Sequence, residues 1–277
     1  MRLPAEPVDV EPAGGVQIAH AQRDDVQLLF HADHSAARPG PGLEQNGHYR
    51  ERPATGLEHV VRCRWEQRVG DTPHVQRVLP DNCADILVTA DGRALLVGPP
   101  THVELPRLPA GTLIRGLRFH PYAVRTALHT DVAELTDQSV DLDDVLGAAT
   151  ARTVAEQIWA GSDVELAHTW GNAEPDRATA GIVRMLTAPG APSVDAVADR
   201  AGYSSRHLRR VVHAETGLSP KTLQRVARLH DFLRAAEAGI SSAAAAAGYA
   251  DQPHASREIR ALTGLAPGQL LRERGLT

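Results

Sequence analysis

Lysine is almost missing from this 277-residue chain: Lys221 is the only one among 29 basic residues. Arginine therefore carries nearly every positive charge, and its planar fork of donors suits guanine edges and phosphate. An arginine-biased genome produces the same preference, so this scarcity alone decides nothing. Cysteine is scarce too. Cys63 and Cys83 are too few for a disulfide framework or a cysteine-based zinc site. No apolar run approaches the ~20 residues that span a bilayer, and the N-terminus lacks a basic-then-apolar signal pattern. The expected location is the cytoplasm, with no membrane partner.

The net charge of −5 hides an asymmetry. From Pro175 onward, 14 Arg and Lys stand against 9 Asp and Glu, whereas Met1 to Glu174 holds 15 basic and 25 acidic residues. A basic C-terminal third on an acidic body points to a polyanion partner for that third alone.

Texture along the chain divides it into four parts. Residues 1–47 are rich in Pro, Gly, Ala, His and charge, with Val26-Gln27-Leu28-Leu29-Phe30 as the one coherent apolar patch. Such a segment is expected to be disordered, and an upstream start codon would also account for it. Residues 48–146 carry short strand-like runs: Arg62-Cys63-Arg64-Trp65-Glu66, Val75-Gln76-Arg77-Val78-Leu79, Asp85-Ile86-Leu87-Val88-Thr89 before the hairpin signal Asp91-Gly92, Ala94-Leu95-Leu96-Val97, Val103-Glu104-Leu105 and Leu113 to Phe119. This spacing favours a small β-barrel or sandwich-like domain that senses a ligand or mediates dimerisation. Residues 147–174 show helical periodicity and form a connector, and residues 175–277 form an all-α domain. The fold class is α+β.

Within the last part a pattern repeats at 46 or 47 residues. Ala201-Gly202-Tyr203 … Thr216-Gly217-Leu218-Ser219-Pro220 returns as Ala247-Gly248-Tyr249 … Thr263-Gly264-Leu265-Ala266-Pro267. Each copy reads as a short helix, a glycine turn and a second helix rich in basic and polar residues, the outline of a helix-turn-helix. Ser193 caps the helix 194–200, whose buried stripe is Val194, Val197 and Ala198. Ser204 caps the recognition helix 205–215, with Leu208, Val211 and Val212 inward and Ser205, Arg206, Arg209, Arg210 and His213 toward the exposed side. A helix over 221–238 is expected to act as a rigid spacer of about 27 Å, against ~34 Å between successive major-groove faces. In the second copy Ser241 or Ser242 caps the all-alanine helix 243–247. Asp251 caps the second recognition helix, leaving Gln252, His254, Ser256, Arg257 and Arg260 to face DNA and Ala255, Ile259 and Leu262 inward. The first copy keeps full-sized core residues and three outward arginines, so it is expected to anchor the protein while the second tunes it.

Residues 187–272 resemble the AraC/XylS family of bacterial transcription regulators. Ala201-Gly202-Tyr203, Leu208, Thr216-Gly217-Leu218-Ser219-Pro220, the linking helix and the run Gly248 to Ile259 carry the likeness. Ala255 and Ile259 stand where that family commonly has larger apolar or aromatic residues. The resemblance implies base contacts at Arg206, Arg209 and Arg210, and at Gln252, Pro253 and Arg257, of which Pro253 has no N–H to donate. Leu79-Pro80-Asp81-Asn82-Cys83-Ala84-Asp85-Ile86-Leu87-Val88, Val97-Gly98-Pro99 and Gly116-Leu117-Arg118-Phe119-His120-Pro121 are similar to the β-rich N-terminal domain of one subset of that family.

Other chemistries fit less well. His74, His102, His120 and His129 fall in or beside the β-rich part, but no tight ligand spacing joins them, so no metal site is expected. An alkylation-repair enzyme would need four clustered zinc-binding cysteines, and a Ser-His-Asp hydrolase a Gly-x-Ser-x-Gly elbow; neither is present. The expectation is a regulator without cofactor whose partners are double-stranded promoter or operator DNA, RNA polymerase, a small-molecule effector and a second copy of itself. A small-molecule binder or antagonist with weak DNA affinity is the alternative.

Overall fold

The computed structural model describes residues 47–276. The expected disordered extension therefore lies outside the described residues, except Gly47, which opens the first strand. Eight strands come first: β1 (Gly47–Arg52), β2 (Val61–Val69), β3 (His74–Val75), β4 (Asp85–Thr89), β5 (Ala94–Val97), β6 (Arg107–Leu108), β7 (Leu113–Phe119) and, after two short helices, β8 (Ser139–Asp141). Among the described residues twelve α-helices follow or interleave. They are α1 (Val124–Leu128), α2 (Val132–Leu135), α3 (Leu142–Leu146), α4 (Ala148–Ala160), α5 (Asp163–Trp170), α6 (Arg177–Thr187), α7 (Val194–Ala201), α8 (Ser205–Thr216), α9 (Pro220–Arg234), α10 (Ile240–Ala246), α11 (Gln252–Thr263) and α12 (Pro267–Glu273). The class is α+β, a β-rich N-terminal part followed by helices.

Six strands form one antiparallel sheet in the order β1-β2-β7-β4-β5-β8, and β3 pairs with β6 as a separate ribbon. The layering is sandwich-like, with a second layer of only two strands: Leu108 of the ribbon meets Val69 and Ile114 of the sheet in a small apolar cluster. The opposite face buries Ile86, Leu96, Leu117 and Phe119 against helices. β4 and β5 are joined by the three-residue loop Ala90-Asp91-Gly92: the Gly92 amide bonds to the Thr89 carbonyl at 2.9 Å and Gly92 takes a φ of 86°, the left-handed position that ends such a loop. Gly116 has a different reason. Trp65 lies across it from the neighbouring strand, and a β-carbon there would sit 2.1 Å from the indole.

Two of the expected strands are not continuous. The β3–β6 pairing runs on in register, Gln76 N–H donating to the Pro106 carbonyl at 3.0 Å and Val78 bridging Glu104, but Pro106 has no N–H to return and so interrupts the ladder. Arg77, within that stretch, reaches the C-terminal helices, where its Nε lies 2.6 Å from Glu273 Oε1 and its Nη1 donates to the Thr263 carbonyl at 2.9 Å.

Arg118 organises the other end of the sheet. It pairs with Asp81 and Asp85, each at 3.0 Å, and with Glu51 at 3.4 Å. Burial pushes the Asp85 carboxyl up from its ordinary range, opposed by the Arg118 charge. Asp81 also accepts from the Cys83 amide at 3.0 Å, closing a turn in which Asn82 adopts a φ of 69°. Asparagine is among the few non-glycine residues that tolerate this conformation. The two cysteines are buried; burial pushes the Cys63 thiol up to about 12 and raises Cys83 as well, so neither is a ready nucleophile.

The apolar core is continuous from the sheet into the helices. One cluster joins Leu117 and Phe119 to Val183 and Leu186 of α6 and onward to Val197, Leu208, Val212 and Leu223. A second cluster is built on Phe232, Tyr249, Ile259, Leu262 and Leu270, and Leu79 of the N-terminal part enters it. Thus the two sequence copies sit in different cores.

Candidate nucleic-acid interface

The sequence repeat is a repeat of atomic detail. Ser204 and Asp251 cap their recognition helices by accepting from the amides of His207 (3.2 Å) and His254 (2.6 Å). Each such bond satisfies one of the orphan donors of a helix start. In both copies the turn glycine, Gly202 or Gly248, has a positive φ, and the tyrosine amide after it bonds back to the helix, Tyr203 to Ala198 at 2.9 Å and Tyr249 to Ala244 at 3.0 Å. The helix ends match too. Thr216 Oγ1 donates to the Val212 carbonyl at 2.8 Å and accepts from the Leu218 amide at 3.1 Å; Thr263 does the same with Ile259 at 2.7 Å and Leu265 at 3.2 Å. The Thr-Gly-Leu-x-Pro motif is therefore a threonine that closes one helix and a proline that opens the next, where its missing N–H costs nothing.

Two expected features differ. The linking helix α9 ends at Arg234, giving about 22 Å at 1.5 Å per residue. Ala236–Ala238 continue as a tighter 3-10 turn, and Gly239 at φ 86° redirects the chain. The next helix then begins at Ile240, one turn earlier than expected, with Gly239 at its N-cap, no side-chain cap, and the first helical bond running from the Ala243 amide to the Gly239 carbonyl at 2.9 Å. Ser241 and Ser242 lie inside it, exposed, because partly buried Ile240 anchors the helix start on the second core.

The recognition helices bury their expected apolar faces. Leu208 and Val212 are buried with Val211 half-buried, and Ala255, Ile259 and Leu262 are buried in the second copy. In the stripe of α7, Val197 and Ala198 are buried and Val194 is half-buried. Arg206 and Arg209 are exposed, with no side-chain partner among the described residues, and Arg210 Nη2 lies 3.1 Å from His207 Nδ1. His213 is exposed on the same helix. Ser205 is half-buried and donates to Asp195 at 2.5 Å, tying the start of α8 to α7. In α11, Gln252, Pro253, Arg257 and Arg260 are exposed and Ser256 is half-buried. His254 is more engaged: its Nδ1 accepts from the Ala250 amide at 3.3 Å and its Nε2 lies 3.6 Å from Glu258.

Both recognition helices border one groove of about 730 Å³ that runs beside α9. Arg209 enters it from α8, and His254 and Glu258 from α11. Along α9 the groove is lined by Lys221, Arg225 and Arg228, spaced four and three residues apart and so on one helix face. Their spacing is legible in the sequence but is masked there by the apolar ridge of the same helix. Glu258 holds two of them, at 3.3 Å from Arg225 and 3.0 Å from Arg228, while Lys221 is exposed. The Arg228 guanidinium also lies 5.4 Å from the centre of the Tyr249 ring. Burial and then the nearby Glu258 charge raise the Tyr249 hydroxyl above its ordinary range, so it stays neutral.

Among the described residues no group of three or more His, Cys, Asp and Glu is arranged to hold a metal. Nor is any described helix long and apolar enough to cross a membrane.

Residues 197–273 match the family described as Helix-turn-helix domain, and residues 49–141 match the Domain of unknown function (DUF6597). Solved structures of ToxT from Vibrio cholerae are similar at low identity. One matches at 10% identity over 83% of this chain and 98% of that one, with a TM-score of 0.38. A second, also at 10%, covers 83% and 99% with a TM-score of 0.39. An unsaturated fatty acid bound form of wild-type ToxT covers 82% and 95% at 10% identity with a TM-score of 0.35. No match was found among curated proteins.

Proposed function

We propose that this chain, with a helix-turn-helix domain behind a DUF6597 domain, is a DNA-binding transcription regulator of the AraC type that reads two successive major grooves in a sequence-specific way. Arg206, Arg209 and Arg210 read bases from the first recognition helix, and Gln252, Arg257 and Arg260 from the second. Arginine suits guanine and glutamine suits adenine through paired hydrogen bonds. Ser205, His254 and Ser256 support the two helix starts at the DNA surface. Lys221, between the motifs, meets the phosphates that separate the grooves.

The observation that carries this reading is the single groove bordered by both recognition helices, with Lys221, Arg225 and Arg228 along its side. The β-rich domain transmits a signal through its grip on α9. Asn82 donates to the Leu223 carbonyl at 3.1 Å, and His230 Nε2 lies 2.7 Å from the Pro80 carbonyl. A small-molecule effector, a second copy and RNA polymerase are the partners of such a regulator.

Selection of binding duplexes from a random pool, followed by footprinting, tests the reading. The expected result is a site of two half-sites on one face of the duplex, lost when half a helical turn is inserted between them. A protein that selects no shared motif would favour a small-molecule binder or antagonist with weak DNA affinity.

A further inference from the structure

A second cavity, of about 560 Å³, lies where the β-rich part meets α6, α9 and the end of the chain. Four guanidinium groups line it: Arg62, Arg184, Arg234 and Arg274. His120 and His230 add two imidazoles, and Asp81 is the one carboxylate among the lining residues. That carboxylate is already committed to Arg118 at 3.0 Å. The cavity is therefore a concentration of positive charge without a free counter-charge of its own.

Its cations are positioned in different ways. The β2–β7 register shifts between Val61 and Cys63, a bulge that leaves Arg62 outside the ladder; bulges of this kind re-aim a side chain. Arg184 donates to the Tyr122 hydroxyl at 2.7 Å and lies 4.7 Å from the centre of that ring. Tyr122 in turn stacks on His120 at 5.1 Å. Arg234 is paired with Asp231. Arg274 has no hydrogen-bond or ion-pair partner for its guanidinium among the described residues, although burial lowers its pKa. Burial also lowers both histidines, and the neighbouring arginines add to it: Arg62 and Arg184 at His120, Arg62 and Arg274 at His230.

We infer that this cavity is the effector site of the regulator and takes a small organic dianion, a phosphate monoester or a dicarboxylate. Planar guanidinium forks match the oxygens of both groups, and the volume falls within the range of small-ligand pockets. An anion here neutralises charges contributed by the sheet, by α6 in the first core, by α9 and by the segment after α12 in the second core. It thereby ties the two motifs to one another through the β-rich part. The loop beside it carries a buried amide only partly satisfied: Asn82 leaves its Oδ1 unpartnered while its Nδ2 holds α9. This inference rests on the reading of the chain as an effector-controlled DNA binder, but its first readout does not require DNA.

The test uses the full chain and three probes, inorganic phosphate, ribose 5-phosphate and succinate, against sodium chloride at matched ionic strength. Calorimetric titration and thermal melting should show saturable binding of at least one dianion by the wild-type protein. Arg274→Gln and Arg62→Gln should each weaken it by about tenfold or more, while Arg152→Gln, an exposed position on α4 that lines neither the cavity nor the groove, leaves it unchanged. Arg274 and Arg62 line the cavity yet keep part of their surface in solvent, and two separate variants guard against one misfolding. Equal binding by both variants and wild type, or no saturable binding of any probe, would overturn the inference. Phosphate and succinate arms separate the two anion sources. If the dianions bind as expected but no duplex is selected, the DNA-reading proposal fails and the site stands.

Discussion

Replacing Lys221 by alanine should weaken DNA binding uniformly across sequences and leave the fold intact. Lys221 is the second residue of α9, exposed, and lines the groove between the two recognition helices. No carboxylate holds it among the described residues, so truncation orphans no buried charge and should change stability by less than about 0.5 kcal/mol. Its neighbours are poorer probes, because truncating Arg225 or Arg228 also disturbs Glu258. One lost phosphate contact removes one released counterion, and the slope of log K against log salt should flatten by about 0.9. Between about 50 and 200 mM salt the variant should therefore lose roughly 3.5-fold less affinity than the parent protein. Arg209→Ala should behave differently, losing about 1–3 kcal/mol on the selected duplex and less on a shuffled one. Fluorescence anisotropy on both duplexes at several salt concentrations, with a melt of each protein, separates the cases. An unchanged slope for the Lys221 variant, or a loss confined to the selected duplex, would refute a phosphate contact there.

Three further outcomes follow from contacts between the parts of the chain. Gly217→Ala should destabilise the protein more than Gly264→Ala in urea melts. Both glycines have positive φ, but a β-carbon at 217 would lie 2.5 Å from Val132 O and Thr136 Oγ1, whereas at 264 the nearest atom is 3.6 Å away; equal losses would contradict the close packing of α8 on α2. Arg118→Met leaves Asp81 and Asp85 without their shared cation and should cost about 3–5 kcal/mol, so a loss under about 1 kcal/mol in the same assay would dismiss it as the organiser of that end of the sheet. Burial, and then nearby guanidinium charge, hold His120 and His230 below their ordinary 6.5. The unfolded chain takes up protons first as pH falls through that value, so stability should drop below it and level off once the native histidines also protonate. His230→Gln should show a smaller drop between about pH 7.5 and 5.5, and a melting temperature that rises over that window would reverse the sign argument.

Local chemistry made the two motifs legible. Ser204, Asp251, Gly202, Gly248 and the Thr-Gly-Leu-x-Pro runs act on neighbours within four residues, so their spacing in the chain is their spacing in space. Where a tertiary contact competed with a local signal, the local signal lost. Ser241 and Ser242 are good caps by type, yet packing of Ile240 starts the helix before them. Val75 to Val78 pairs as the alternation predicts, but the strand is cut short because its partner Pro106 cannot donate, a break set by the opposite segment and not by the run itself. The basic face of α9 was present as a spacing of four and three, but what makes it part of a groove is the flanking position of α8 and α11.

By itself, the sequence determined the helical repeat, its turns, the caps of both recognition helices, the outward arginines and the presence of a β-rich partner, because each follows from periodicity or from hydrogen bonds closed over a few residues. Only the tertiary structure decided that the first motif shares its core with the sheet while the second has its own, that Pro80 and Asn82 grip α9, and that four arginines from distant segments surround one cavity. The Asn82–Leu223 and Pro80–His230 contacts alone span 141 and 150 positions, and no local pattern encodes a pairing whose partner is chosen by how whole layers pack.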